Sequence, residues 1–231
     1  RSPPGVTVAV RATATLRFAL LITGTTGFVD AYTYLERDGV FANAQTGNVV
    51  LGSVAVSDGH WVQAGQHLAS IVAFAAGIAV AAFLAARERP QWAPRVEVLT
   101  TGLSALALLA SALVPASAGP MLVTIPLCFT SAMQIELFRS IGDLKYVPIA
   151  TTGNLMRWVE SGHDELLHPD RSNRRRFAIY CGVVGIFAVG ALAGALLSES
   201  MGVRAALIPG LVMAVAALIA IREEKVPHAA A

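Results

Sequence analysis

The sequence has few charged residues and few cysteines. Charged side chains make up 14% of its 231 residues, whereas average globular usage is roughly 25%. Cys128 and Cys181 both lie in apolar segments, which predicts packing roles and argues against a disulfide framework. The net charge of +2 is too small and too scattered for a nucleic-acid-binding surface. These shortages exclude an ordinary soluble domain, a disulfide-rich scaffold and a nucleic-acid partner.

The sequence is instead rich in long apolar runs. Hydrophobic residues make up 55% of the chain, and the mean hydropathy is +0.62. A membrane-spanning helix needs about 20 mostly apolar residues. A large soluble bundle is the alternative, but six such runs leave too little polar surface to cover it. We predict an all-α polytopic membrane protein that forms one membrane domain over residues 1–231. Its six transmembrane helices are predicted at Leu16–Leu35, Leu68–Ala86, Val96–Val114, Met121–Phe138, Phe177–Leu197 and Val203–Ile221.

The basic residues predict the orientation of these spans. Lys and Arg accumulate in cytoplasmic loops of membrane proteins. If the first residue is cytoplasmic, only Arg37 and Arg204 of the 17 basic residues fall outside. We therefore expect a multi-pass protein with cytoplasmic N- and C-termini. The 15 basic residues on the inside would be Arg1, Arg11, Arg17, Arg87, Arg89, Arg95, Arg139, Lys145, Arg157, Arg171, Arg174, Arg175, Arg176, Arg222 and Lys225.

The tripeptide Thr-Gly-Asn occurs twice, at 46–48 and at 152–154, and each copy follows the first span of one half of the chain. The segment 26–31 also aligns with 130–135. We predict two repeats of three spans, at about 16–114 and 121–221. Because three is odd, the second copy must be inverted, as in many transporters. The alternative is a chance recurrence of common residues.

Each Thr-Gly-Asn is predicted to open a short half-helix. The apolar run Thr46–Val56 is too short to span and is typical of a re-entrant or interfacial segment. Thr46 can serve as an N-cap, and Gly47 permits close backbone approach. The free N–H groups would then face a solute. Thr152–Val159 could do the same from the other side. Two helices lying on the membrane surface remain the alternative.

Three polar residues inside predicted spans are candidates for function, because such residues are costly in a bilayer. Asp30 lies in the first span, and Gln134 and Glu136 lie in the fourth. They could carry protons, bind a cation or hydrogen-bond a solute. The structural alternatives are that Asp30 pairs with Arg37 or caps a break at 25–27, and that Glu136 pairs with Arg139 three residues later.

No catalytic, metal or cofactor motif stands out. We interpret His163, Asp164, Glu165 and His168 as a solvated loop, because their spacing matches no strong ligand pattern. The sequence contains no phosphate-binding loop, nucleophile elbow or zinc-protease motif. We therefore predict no catalytic residues, no metal, no cofactor and no enzymatic activity.

Two stretches of the first half resemble the YoaK family of bacterial membrane proteins. They are Gly27–Tyr34, which reads GFVDAYTY, and Phe41–Val50, which reads FANAQTGNVV. Residues Thr151–Leu155 resemble the second Thr-Gly-Asn of that family. The resemblance implies a six-span protein of the bacterial inner membrane whose activity is unassigned. The second half departs from the pattern, because Gln134 stands where the first half has Asp30.

Our leading hypothesis is a small-solute transporter or channel with its site between the repeats. The expected partners are membrane lipids and a small solute or ion, with a homo-oligomer left open. The rival is a non-transporting membrane protein, either a structural or regulatory binder or a lipid-acting enzyme. The candidate site residues are Asp30, Thr46, Gly47, Asn48, Gln134, Glu136, Thr152, Gly153 and Asn154.

Overall fold

The computed structural model describes residues 15–87, 95–141, 144–148 and 151–225. Of the basic residues used for the orientation, Arg1, Arg11 and Arg89 lie outside this part. A two-stranded antiparallel ribbon pairs β1, Ser140–Ile141, with β2, Leu144–Lys145, and a 3₁₀ segment covers Gly202–Ala206. The described residues form α1 (Leu16–Glu36), α2 (Gln45–Ser57), α3 (Trp61–Ala85), α4 (Val96–Ser111), α5 (Met121–Leu137), α6 (Thr151–Leu167), α7 (Arg171–Met201) and α8 (Leu207–Lys225).

The all-α class is confirmed, and each predicted span falls on one helix: α1, α3, α4, α5, α7 or α8. Two stretches are both long and apolar enough to cross a membrane. They are Trp61–Ala85 and Arg171–Arg222, and the second covers α7 and most of α8. Helices α4 and α5 are apolar but shorter, with 16 and 17 residues. These findings are compatible with an integral membrane protein.

The start of α2 differs from the prediction that Thr46 is its N-cap. The helix begins at Gln45, and the N-cap residue is Ala44, whose side chain makes no capping bond. Thr46 therefore lies in the first turn and is exposed. The Gln45 side chain donates to the Ala42 carbonyl at 3.1 Å, which ties the first residue of α2 to the segment before the helix. Thr152 likewise lies within α6, which begins at Thr151.

The prediction that His163, Asp164 and Glu165 lie in a loop is wrong, because these three residues belong to the last turns of α6. Asp164 pairs with Arg176 at 3.4 Å and Glu165 pairs with Arg174 at 3.1 Å. These ion pairs join α6 to α7, which begins at the next cap. There the Asp170 side chain accepts the backbone N–H of Asn173 at 2.7 Å. The acidic residues therefore hold a helical hairpin together.

Two pairs of helices approach each other closely through small residues. A Cβ added to Gly27 of α1 would collide with the Phe187 carbonyl of α7. On the other pair, a Cβ added to Gly77 of α3 would collide with the Phe129 carbonyl of α5. Along α1 and α7 the contacts advance together, from Gly24 against α7 at 186–190 to residue 28 against 194, so the two helices run parallel. Small-residue packing of this kind is common between membrane helices.

The remaining helix contacts follow the same arrangement. Helix α2 packs on α3 as α6 packs on α7, and α4 touches α5 as α8 touches α1. Helix α4 also packs against α8. Exchanging α1–α4 for α5–α8 therefore maps each of these pairs onto another pair or onto itself.

Polar side chains are buried while large apolar side chains are exposed. Asp30, Asn48, His67 and Gln134 are at most 7% exposed. On the outer faces, Leu106 of α4 is 63% exposed, and many other large apolar side chains share its exposure, including Val72, Leu192, Leu196, Leu211 and Leu218. Soluble monomers rarely expose contiguous apolar surface on this scale. The distribution is typical of helices whose outer faces contact lipid.

The glycine contacts make a prediction about stability. Gly27→Ala and Gly77→Ala should each lower the free energy of unfolding by about 1–3 kcal/mol, because the added methyl meets backbone that cannot move aside. Gly102→Ala is the control, since open space surrounds that position in α4 and alanine is the better helix former. Thermal unfolding in detergent would measure the effect. Equal unfolding temperatures for all three variants would contradict the close packing.

Candidate functional site

Asn48 fixes the segment that precedes α2. The backbone N–H of Phe41 donates to Asn48 Oδ1 at 3.0 Å, and Asn48 Nδ2 donates to the Phe41 carbonyl at 2.7 Å. The same Nδ2 also donates to Gln45 Oε1 at 2.9 Å. The side chain is fully buried. A primary amide presents one acceptor and one donor side by side, so it can satisfy both polar groups of one peptide residue.

Asn154 makes the same pair of bonds in the second half. Its Nδ2 donates to the Val147 carbonyl at 2.7 Å, and the Val147 N–H donates to Oδ1 at 3.4 Å. The side chain is 1% exposed. In both halves the asparagine reaches back seven residues. This shared geometry explains why asparagine closes both Thr-Gly-Asn motifs, since aspartate lacks the donor and serine lacks the reach.

We call the paired bonds of Asn48 with Phe41 the first asparagine clamp, and those of Asn154 with Val147 the second. His67 of α3 adds a contact to the first clamp. Its Nδ1 lies 3.2 Å from Asn48 Oδ1, an atom that can only accept, so the contact requires a proton on Nδ1. The ring is 1% exposed, and among the described residues its Nε2 has no hydrogen-bond partner. His67 thereby ties α3 to the segment at the start of α2.

Asp30 binds Asn43 rather than Arg37. Its Oδ1 accepts the Asn43 backbone N–H at 2.8 Å and the Asn43 Nδ2 at 3.2 Å. Asn43 Nδ2 also donates to the Thr26 carbonyl at 3.3 Å. Because both of these partners are acceptors, the amide nitrogen of Asn43 must face them, and its Oδ1 must face away. Asp30 therefore orients Asn43.

Arg37 holds the end of α4. Its guanidinium donates to the carbonyls of Ser111 and Val114, both at 2.9 Å, and to that of Pro115 at 3.1 Å. It also donates to the Tyr32 hydroxyl at 3.1 Å. The side chain is 1% exposed. Carbonyls at a helix C-terminus have no partners within the helix, and the dipole there favours a cation. Arg37 thus binds one carbonyl of the last turn of α4 and two carbonyls of the segment that follows it.

Tyr146 and Tyr180 hold the segment that follows α5. The Tyr180 hydroxyl donates to the Lys145 carbonyl at 2.8 Å, and the Tyr146 hydroxyl reaches the Ala19 carbonyl at 3.5 Å. Burial raises the pKa of the Tyr146 phenol above its ordinary value. Its hydroxyl therefore stays protonated and available as a donor.

A small polar cavity lies where α1, α4, α5 and α8 meet. The space open to the centre of a water molecule is about 10 Å³, close to what one water needs. The cavity is therefore large enough for a single small guest. Its polar lining consists of Thr25, Thr26, Asn43, Ser104, Thr130, Ser131 and Gln134, and its apolar lining of Val29, Leu108, Leu127 and Met213.

Two polar atoms of the cavity wall lack partners among the described residues. They are Asn43 Oδ1, an acceptor, and Gln134 Nε2, a donor. The hydroxyls of Thr26 and Thr130 donate to carbonyls of their own helices, at 2.8 and 2.9 Å, and so present lone pairs. Buried polar groups are nearly always hydrogen-bonded. Asn43 and Gln134 are therefore the lining residues with a buried side-chain atom that has no partner among the described residues.

The structure brings together only part of the predicted site. Gln134 lines the cavity, and Asp30 stands behind it through Asn43. The clamps of Asn48 and Asn154 lie elsewhere, since neither residue is among the lining residues. Gly47 packs on the Phe41 ring. The other predicted residues are placed away from the cavity: Thr46 and Thr152 are exposed, Gly153 is half-buried, and Glu136 pairs with Arg139 as the structural alternative proposed.

Asn43 is the functional candidate that sequence reasoning missed. It lies in the segment FANAQTGN, directly before the motif that drew attention. The sequence signal for Asn43 would have been a polar side chain between the apolar residues Ala42 and Ala44. Its role depends on contact with Asp30, thirteen residues earlier, which spacing alone does not predict. Among the described residues, no group of three or more His, Cys, Asp or Glu is placed to hold a metal ion.

The fold and the buried polar site define a class of small helical proteins with a lipid-compatible exterior. Residues 18–219 match the family model described as "Protein of unknown function (DUF1275)", the family that includes YoaK. The chain belongs to this family. No curated protein and no solved structure matches it.

The asparagine clamps predict equivalent losses in the two halves. Asn48→Ala and Asn154→Ala should each cost about 1–3 kcal/mol, because a backbone N–H and a carbonyl lose their partners. Hydrogen exchange of peptides containing Phe41 or Val147 should accelerate in the corresponding variant. The exposed Thr46→Ala is the control and should leave both peptides unchanged. Unaltered exchange in the asparagine variants would refute the clamp.

Asp30 predicts a graded response to substitution. Both Asn43 bonds end on one carboxylate oxygen, and an asparagine at position 30 still supplies such an acceptor. Asp30→Asn should therefore unfold at a temperature nearer the wild type than Asp30→Ala. The alanine variant leaves the backbone N–H of Asn43 without an acceptor, at a cost of about 1–3 kcal/mol. Indistinguishable thermal unfolding of the two variants would show that the acceptor at position 30 does not matter.

Proposed function

We propose that the protein is a non-enzymatic small-solute transporter or channel of a cytoplasmic membrane, with six spans in two inverted repeats. The observation that carries the proposal is the small cavity with many polar lining residues between α1, α4, α5 and α8. It combines an unpaired acceptor, Asn43 Oδ1, with an unpaired donor, Gln134 Nε2. One comes from the first half and the other from the second.

The burial pattern supports a membrane location. Apolar side chains cover the outer faces of the helices, and polar side chains gather inside. In a bilayer an unpaired polar group on the outer face would have no water to bind. The bias of basic residues then favours cytoplasmic ends for the chain, with Arg37 and Arg204 on the opposite side.

The pairing of helices supports two repeats. Helix α1 runs beside α7 as α3 runs beside α5, and the asparagine clamps recur with the same seven-residue reach. Leu108 of α4 and Met213 of α8 line the same cavity and occupy corresponding places in the two halves. A site built from both repeats is the usual arrangement in transporters of inverted symmetry.

The size of the cavity restricts the solute. The cavity has room for about one water, so passage of a larger solute requires the four helices to separate. An acceptor opposite a donor suits a small neutral or dipolar molecule. Asp30 acts through Asn43 and is shielded from the cavity by it, so we assign Asp30 a positioning role.

The narrow cavity also favours a second candidate, a non-transporting membrane protein that binds a partner. In that case one buried water would satisfy Asn43 and Gln134, and the polar centre would serve only to fix the packing of the four helices. The two candidates differ in one measurable property, which is solute flux.

Flux through reconstituted vesicles tests the proposal. Stopped-flow light scattering would follow water, urea and glycerol, and an enclosed pH dye would follow protons. Gln134→Leu removes the hydrogen-bond donor, and Ser131→Leu fills the cavity. Each variant should lower the flux about tenfold, because the solute loses a hydrogen-bond partner in the first and its space in the second. Gln63→Leu, an exposed glutamine at the start of α3, is the matched control.

Wild-type flux indistinguishable from that of protein-free vesicles for every probe would reject transport and favour the binding role. Flux that persists in both cavity variants would place the pathway elsewhere. Thermal unfolding of each variant, compared with the wild type, would separate loss of flux from loss of fold.

A further inference from the structure

A second, larger concavity lies on the outside of the helices, between α1, α7 and α8. It has a volume of about 530 Å³. Its walls are almost entirely apolar, since Arg17 and Thr25 are the polar side chains among its lining residues. Representative lining residues are Arg17, Leu21, Gly24 and Phe28 of α1, Ile186 of α7 and Val212 of α8.

The groove has the length of one membrane leaflet. Its α1 wall runs from Arg17 to Phe28, and eleven residues of helix rise roughly 16 Å at 1.5 Å each. The hydrocarbon core of a bilayer is about 30 Å thick, so one leaflet supplies about 15 Å. An extended acyl chain of a phospholipid therefore matches the groove in both length and polarity.

The charge at one end indicates the headgroup. Arg17 is exposed and stands at the start of α1, on the side that the basic residues assign to the cytoplasm. The cytoplasmic leaflet is rich in anionic lipid, and a basic residue near its surface attracts such headgroups. The groove below Arg17 would receive the acyl chain of the same molecule.

We propose that the groove between α1, α7 and α8 is a binding site for one anionic phospholipid, with its phosphate at Arg17 and an acyl chain along Leu21, Gly24 and Val212. The inference rests on the membrane orientation proposed above and is independent of transport. Thr25 lines both this groove and the central cavity. A bound acyl chain would therefore contact a residue that also lines the cavity.

Electron spin resonance of spin-labelled lipids tests the site. The purified protein is reconstituted in phosphatidylcholine vesicles containing trace phosphatidylglycerol or phosphatidylcholine, each labelled near the end of one acyl chain. The motionally restricted fraction should be larger for phosphatidylglycerol. Arg17→Gln should weaken that preference about fivefold, the factor that corresponds to about 1 kcal/mol per basic residue at the surface.

Arg87→Gln is the matched control, because it removes an equal charge from the same predicted side and does not line the groove. Val212→Trp fills the groove and should lower the restricted fraction of both lipids. Since a bulky substitution can disturb packing, the exposed Arg17 decides the question independently.

The proposal is overturned if the two lipids show equal restricted fractions, or if Arg87→Gln removes the preference as fully as Arg17→Gln does. It is also overturned if the preference survives in Arg17→Gln. Flux is not measured here, so a failed lipid site and a failed transport proposal remain distinguishable.

Discussion

Polar groups inside an apolar exterior must find their partners within the protein, and this constraint organises the structure. Asn48 and Asn154 each satisfy both polar groups of a backbone residue that no helix serves. Arg37 serves the carbonyls at the end of α4. The asparagines bind the segment directly before their own helix, whereas Arg37 joins α1 to the distant end of α4. The same bonds that satisfy buried groups therefore also fix how the connecting segments lie on the helices.

Some buried polar atoms, such as His67 Nε2, have no partner among the described residues, and two of them belong to residues of the central cavity. Asn43 is held by Asp30 so that its amide oxygen has no partner, and Gln134 leaves its amide nitrogen unpaired across the same space. An unpaired donor and acceptor are costly where water is scarce. Both residues lie at the meeting point of four helices, where the first and second halves of the chain contact each other. The carboxylate of Asp30 orients Asn43 in the first half. Gln134, which stands at the corresponding position of the second half, lines the cavity itself, so no second carboxylate is needed there.

The sequence predicted the helices well because their ends are marked locally. Apolar runs stop at charge, proline or polar turns, so the predicted spans and the observed helices agree within a few residues except where α3 and α7 begin earlier. The extra turns of α7 depend on the Asp170 cap and on ion pairs with α6, and such partners cannot be read from hydropathy. The repeated Thr-Gly-Asn motif does mark a shared structural feature. That feature is the clamp in which the asparagine binds a backbone residue seven positions earlier. Asn43 was missed because only the fold places it beside Asp30.

The middle of α1 links the two candidate sites. Gly24 and Gly27 let α7 approach α1 closely, and Gly24 also lines the lipid-facing groove. Thr25 lies between them and touches both. A lipid chain in the groove would therefore contact α1 at a residue that also borders the polar centre, so occupancy of the groove and packing around the cavity are coupled through that one side chain.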